Sequence, residues 1–112
     1  MKMITAIVQP HRIDEIKEAL RSAGATGMTA TEARGSGRQK GHKEVFRGAE
    51  YEVQFIPKVR LEVVVHNDQL EACIDAIVGA AHTGRIGDGK IFVTDVLDTI
   101  RIRTKERGEA AL

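Results

Sequence analysis

The chain has 112 residues, 42% of them hydrophobic and 29% charged, with a formal net charge of +1. That length fits a single domain, residues 1–112, with a real core, and the balance excludes wholesale disorder and any bulk positive field that would drive nucleic-acid or membrane-surface binding. One cysteine, Cys73, excludes an internal disulfide framework. No apolar run approaches the roughly 20 residues that span a bilayer, so no direct membrane insertion is expected. The opening Met1-Lys2-Met3-Ile4-Thr5 enters a strand pattern without a secretory apolar region, and a cytoplasmic location is expected.

Residues 3–9 are rich in β-branched and apolar side chains and predict a buried strand, ended by Pro10. Ile13, Ile16, Ala19, Leu20 and Ala23 then recur at spacings of three and four, the apolar face of a helix that Gly24 would stop. A weaker strand follows at 28–34. From Gly35 to Pro57 the periodicity lapses, which in a small domain marks either a functional segment or a poorly ordered hairpin extension.

Val59, Leu61, Val63 and Val65 alternate with Arg60, Glu62, Val64 and His66, the clearest strand in the chain, and Lys58 shares the Arg60 face. Asp68 and Glu71 read as a variant capping box before a helical stripe of Leu70, Cys73, Ile74, Ile77, Val78 and Ala81, with Gly84 closing the helix. Residues 91–97 predict another strand. Ile100 and Ile102, alternating with Arg101 and Arg103, predict a short last one before a polar, frayed tail at 104–112. Ala23–Met28 is faintly echoed by Ala80–Ile86. The order is a βαβ unit written twice, which predicts a ferredoxin-like α/β sandwich with both helices on one face of a four-stranded sheet. The other face also carries apolar side chains, and a homo-oligomer would cover it.

Three places could carry chemistry. Thr83-Gly84-Arg85-Ile86-Gly87-Asp88-Gly89-Lys90-Ile91 nearly matches the phosphate-loop pattern but has Ile91 where a Ser or Thr would hold the metal, and it leads into a strand. Converging backbone N–H groups and Lys90 still suit an anion, and a plain glycine-rich turn is the equal alternative. Gly35-Ser36-Gly37-Arg38-Gln39-Lys40-Gly41 combines the same residue types. Arg101 and Arg103, two apart on the expected strand, would face the same way and could grip phosphate oxygens, or simply solvate an edge strand. Together the three suggest a polyphosphate held between subunits. The four histidines lack metal-ligand spacing, and Ser36 lacks the nucleophile-elbow context. Cys73 falls in the apolar stripe, and 4% aromatic content leaves no base-stacking platform, so neither nucleic-acid binding nor rapid catalysis is indicated. Tyr51, flanked by charge in the long loop, is a candidate for covalent modification, and Arg47 for a reaching contact.

These residues resemble the PII nitrogen-regulatory signal proteins over essentially the whole chain. Gly37–His42 with Arg47-Gly48-Ala49-Glu50-Tyr51 is similar to the family's T-loop, the 83–93 stretch to its B-loop, and Arg101-Ile102-Arg103-Thr104 to its C-terminal segment. The resemblance implies a homotrimer that senses rather than catalyses, with ATP and ADP competing for clefts between subunits. It implies that Gly87, Asp88, Gly89 and Lys90 wrap the phosphates and that Arg38, Arg101 and Arg103 reach them. Thr29 and Val64 would lie by adenine and ribose, and Gly35 and Gly37 would give close backbone approach. Gln39 would ligate a Mg²⁺ that bridges ATP and 2-oxoglutarate, with Lys40, Gly41 and Lys58 completing the 2-oxoglutarate site. A mobile T-loop over about 37–55 would then switch between partners: an ammonium transporter contacted by Arg47, nitrogen-assimilation enzymes, and a nucleotidyltransferase that uridylylates or adenylylates Tyr51. Phe46 stands where the family usually has Tyr, and Ala49 removes a hydroxyl some members phosphorylate. Gln9 replaces a commonly basic residue, and Ser36 a frequent aromatic. The last two bear on 2-oxoglutarate affinity. They keep open a PII-like module with another small effector, and a slow ATPase using Lys90 and Glu62 is the third reading.

Overall fold

A computed structural model describes residues 1–37, 43–46, 49–52 and 55–112, the second and third of these segments as strands. In chain order the elements are β1 (Lys2–Val8), α1 (Ile13–Ser22), β2 (Thr29–Gly35), β3 (Lys43–Phe46), β4 (Ala49–Glu52), β5 (Ile56–Val65), α2 (Leu70–Ala81) and β6 (Gly89–Asp95). The main sheet has the order β2-β5-β1-β6 with every pair antiparallel, and both helices lie on one face of it. This is the ferredoxin-like sandwich that the doubled βαβ order predicts.

The register explains the core. Ile4 lies opposite Val63, Ala6 opposite Leu61 and Val8 opposite Val59, so the alternating apolar residues of two central strands share one face. Ile16 and Leu20 of α1 and Cys73, Ile77 and Ala81 of α2 close over them. The fully enclosed Ile4, Ile16, Leu20, Leu61 and Ile77 each contribute roughly 2–3 kcal/mol by leaving water. Cys73 is enclosed as fully as these residues, and burial pushes its thiol pKa up.

The helix ends show where local chemistry decides. Gly24 stops α1 as predicted: it sits at φ 97°, its N–H reaches the Arg21 carbonyl at 3.1 Å, and Ala25 N–H reaches the Leu20 carbonyl at 3.0 Å. That is the paired closure of a Schellman motif, and only glycine holds its left-handed residue without strain. At α2 the cap differs from the expected Asp68–Glu71 box. A single 3₁₀ turn, Asn67–Gln69, precedes the helix, and the His66 N–H donates to Gln69 Oε1 at 3.2 Å. The extra turn moves the capping pair two residues upstream. The helix also ends earlier than expected, at Ala81, because His82 is already extended with ψ 127°. Gly84 therefore belongs to the loop, where it takes φ 85°.

Two further expectations are corrected. The 35–57 stretch is not wholly irregular: β3 pairs with β4 as a separate two-stranded sheet, Glu44 opposite Tyr51, and β5 begins at Ile56. Pro57 is tolerated in β5 because β1 stops at the Val8–Val59 pair and no longer flanks that end. At the other terminus, Arg101 and Arg103 do not lie on a strand. Residues 101–104 form a turn in which Lys105 N–H reaches the Arg101 carbonyl at 2.7 Å, and Lys105 takes φ 62°. Two Ile–Arg pairs are too short to form a strand against the pull of that turn, and Ile102 is left 94% exposed.

The tail is tied down rather than frayed. Asp98 accepts from Arg107 Nε at 3.0 Å, from a second Arg107 guanidinium nitrogen, from Thr99 N–H at 2.9 Å and from Gly108 N–H at 3.3 Å. A last 3₁₀ turn, Gly108–Ala111, buries Ala111. The sheet face opposite the helices carries Met3, Ile7, Val64 and Phe92, the last about half exposed, and among the described residues no helix covers it.

The hydrogen bonds to Arg107 hold the Asp98 carboxyl below the ordinary range, so its stabilisation is complete above the unfolded value of about 3.9 and drains as pH falls through the lower folded value. The Gly108 amide resonance should therefore hold its position down to about pH 4 and move below it. In Asp98→Asn it should sit at the displaced position already at neutral pH. A Gly108 resonance insensitive to both changes would contradict this account of the tail.

Candidate functional site

The site is built where four strands meet at one end of the sheet. β1 and β2 arrive there, and β5 and β6 leave. The closest approach is at Gly89, which pairs with Val8 at the mouth of β6. Its φ is 109°, and a Cβ at this position would lie 1.8 Å from the Ile7 carbonyl oxygen. No side chain fits there, so glycine is what lets the 84–89 loop fold up against the end of β1.

On the far side of the same sheet end, Gly35 pairs with Ile56, and Ser36 and Gly37 follow. The two glycine-bearing loops thus enclose one cleft of about 770 Å³, walled by Gly35, Gly37, Lys58, Gly87 and Lys90, with Ile7 and Phe92 as apolar surface. Gly35 lies against the Lys58 stem, and a Cβ there would meet Lys58 Cγ at 3.4 Å. Lys58 keeps the face parity the sequence assigns it, yet it is 92% buried by the loops that close over it. Its Nζ donates to the Gly87 carbonyl at 2.8 Å. Burial lowers its pKa, and the Asp88 carboxylate works in the opposite direction.

Asp88 shapes the loop from within. Its carboxylate accepts from Thr83 N–H at 2.8 Å, from Gly84 N–H at 3.0 Å and from the Thr83 hydroxyl. These bonds, the Thr83 hydroxyl foremost, hold its pKa below the ordinary range. The cleft therefore presents two lysines and left-handed glycines at φ 106° and 109° (Gly87 and Gly89), a donor-rich surface that suits an anion. Among the described residues, no group of three or more His, Cys, Asp or Glu could hold a metal ion.

Of the residues singled out in the sequence, Gly35, Gly37, Lys58, Gly87, Asp88, Gly89 and Lys90 come together here. Thr29 and Val64 do not line this cleft. They lie on the open sheet face, Thr29 opposite Glu62 and Val64 opposite Met3. Glu62 is ion-paired with Arg60 at 3.5 Å. Arg101 and Arg103 lie in the C-terminal turn, outside the cleft of their own chain. Arg101 there donates to Glu106 Oε1 at 3.1 Å and to a Leu112 main-chain oxygen at 3.0 Å. Arg38, Gln39, Lys40, Gly41 and Arg47 fall outside the described residues, and Tyr51 is placed only as a position in β4. Sequence reasoning missed Ile7, Ile56 and Phe92 as cleft residues, although the alternation of β1 already puts Ile7 on the face away from the core.

The fold and the cleft define a small ferredoxin-like sandwich in which two glycine-bearing loops meet at one end of the sheet. The comparisons with known proteins are specific. The family described as "Nitrogen regulatory protein P-II" matches residues 1–106. The chain is 56% identical to "Nitrogen regulatory protein P-II 1" of Escherichia coli (strain K12), with all of both chains covered. It is 59% identical to "Nitrogen regulatory protein P-II" of Azospirillum brasilense over 112 residues, again the whole of both. The chain belongs to the P-II family of nitrogen regulatory proteins.

Gly89→Ala should cost more than about 3 kcal/mol or abolish folding, because left-handed strain adds to a backbone collision. Gly37→Ala, with no described residue within 4 Å of the new methyl, should stay within about 0.5 kcal/mol of the parent. Urea midpoints at matched protein concentration measure both, and equal midpoints would contradict the close approach.

Proposed function

We propose that this protein is a homotrimeric, cytoplasmic sensor in nitrogen regulation that reads ATP or ADP together with 2-oxoglutarate and acts on its targets through the long loop after Gly37. The observation that carries the reading is the convergence of both glycine-bearing loops, Lys58 and Lys90 on one cleft. Family membership and the regulatory names of the relatives support a regulator in preference to an enzyme.

In this reading the backbone of Gly87–Lys90 and the Lys90 ammonium hold the phosphates. Gly35 and Gly37 allow close approach, and Arg38 adds charge from the adjoining loop. The open sheet face with Met3, Ile7, Val64 and Phe92 is the surface by which three copies pack. That packing brings a neighbour's Thr29 and Val64 toward the base and sugar, and its Arg101 and Arg103 toward the phosphates. Gln39 supplies a ligand for Mg²⁺. Lys58, with Lys40 and Gly41, takes a carboxylate of 2-oxoglutarate. Because Lys58 already holds the Gly87 carbonyl, an acid that engages its Nζ also bears on the phosphate loop, which gives the two effectors a shared group through which to couple.

Loop conformers biased by these effectors then present different surfaces to targets. The targets in this reading are an ammonium transporter met by Arg47, nitrogen-assimilation enzymes, and a nucleotidyltransferase that adds a bulky anion at Tyr51. A second reading, the same trimer with a different small acid, is favoured by Ser36, whose position lines the cleft where many relatives in the resemblance carry an aromatic.

Calorimetric titration of Mg²⁺–ATP, with and without 2-oxoglutarate, tests the proposal. ATP should bind at least about 10-fold more tightly with the acid present, a coupling of about 1.4 kcal/mol. Lys58→Met should keep ATP binding and lose the coupling. No binding at millimolar nucleotide would overturn the proposal, and binding without coupling in the parent would select the second reading.

A further inference from the structure

We infer that Thr83 is a positioning residue for the phosphate-binding half of the 84–89 loop: with Asp88 it forms an internal clamp that withholds the backbone N–H groups of Thr83, Gly84 and Arg85 from ligand. The inference rests on the nucleotide reading of the cleft and adds a residue and a division of labour to it.

The hydrogen bonds define the clamp. Asp88 Oδ2 accepts from Thr83 N–H at 2.8 Å and Gly84 N–H at 3.0 Å, while the Thr83 hydroxyl donates to Asp88 Oδ1. The same hydroxyl oxygen accepts from Arg85 N–H at 3.2 Å. Three consecutive N–H groups, at Thr83, Gly84 and Arg85, are therefore satisfied inside the loop. A run of successive N–H groups in a glycine-bearing turn is what elsewhere binds a phosphate. Here the Asp88 carboxylate already occupies that concavity as a built-in anion.

Two consequences follow from the geometry. Phosphate recognition passes to the second half of the loop, Gly87 to Lys90, where the backbone is left-handed at Gly87 and Gly89 and Lys90 adds its charge. Asp88, although an acid beside an anion site, has its charge spread over three donors, which reduces its repulsion of phosphate oxygens. Thr83 is the hinge of the arrangement because its hydroxyl both donates and accepts. Serine can do the same, and valine, of nearly the same shape, can do neither.

Amide-resolved NMR of the full chain, titrated with Mg²⁺–ATP, tests this in the parent, Thr83→Val and Thr83→Ser. In the parent the Thr83, Gly84 and Arg85 amides should be protected from hydrogen exchange and hold their resonances as ATP is added, while Gly87 and Gly89 move. Thr83→Val should bind ATP about 10-fold more weakly, with an unchanged thermal midpoint and oligomeric mass, as expected when a loop must be ordered on binding. Thr83→Ser should restore affinity to within about twofold of the parent. Large ATP-induced shifts at the Thr83 and Gly84 amides, or parental affinity in Thr83→Val, would overturn the inference. A parent that binds no ATP would overturn the nucleotide reading and the positioning role together. Protected Thr83 and Gly84 amides in that case would leave the clamp as a purely structural feature, which separates the two failures.

Discussion

The contact on which the rest depends is the one between Gly89 and the Ile7 carbonyl. β6 can pair with β1 through to Val8 only because no side chain stands at that point. The pairing fixes the sheet order, and the sheet order decides which loops become neighbours. Without it the 84–89 loop could not close down on the end of β1 beside the 35–37 loop. The cleft is in this sense a by-product of strand register, with its charged groups mounted on elements already locked by the core.

Lys58 shows how tightly the cleft and the core are joined. A buried ammonium is costly unless it is hydrogen-bonded, and the Gly87 carbonyl supplies that partner. The lysine thereby pulls the middle of the 84–89 loop toward β5, while Asp88, one residue on, pulls the beginning of that loop back on itself. The loop is held from two sides by groups of opposite sign. Its shape is consequently a property of the chain before any ligand arrives, the condition under which binding loses least to ordering.

Much of this was legible in the sequence, and the misses have physical causes. Period-two and period-3.6 patterns place β1, β5, α1 and α2 well, because burial on one face imposes them. The glycine rule works at Gly24, where a left-handed residue is needed, and fails as a helix stop at Gly84, where the helix has already ended at Ala81. The Asp68–Glu71 reading fails because a 3₁₀ turn shifts the cap to His66 and Gln69, a detail that composition does not encode. Arg101 and Arg103 look like a strand pair only if a neighbouring strand exists to pair with, and in this chain a turn prevails. At the site, glycines and lysines mark both loops by composition alone. Their convergence, the burial of Lys58 and the roles of Ile7 and Phe92 follow from the register, which needs the sheet order β2-β5-β1-β6.

The engagement of Arg101 has a bearing on selectivity. Its guanidinium already donates to the Glu106 carboxylate and to a Leu112 main-chain oxygen. Chloride, sulfate and free phosphate, abundant in any cell, meet a guanidinium already paired with a carboxylate, and a lone simple anion gains little by exchanging that carboxylate for itself. A polyanion anchored elsewhere gains on different terms, because it approaches Arg101 at high effective concentration and can displace Glu106. In the proposed trimer the C-terminal turn would thus discriminate by connectivity, favouring charge that arrives tethered over charge that arrives alone.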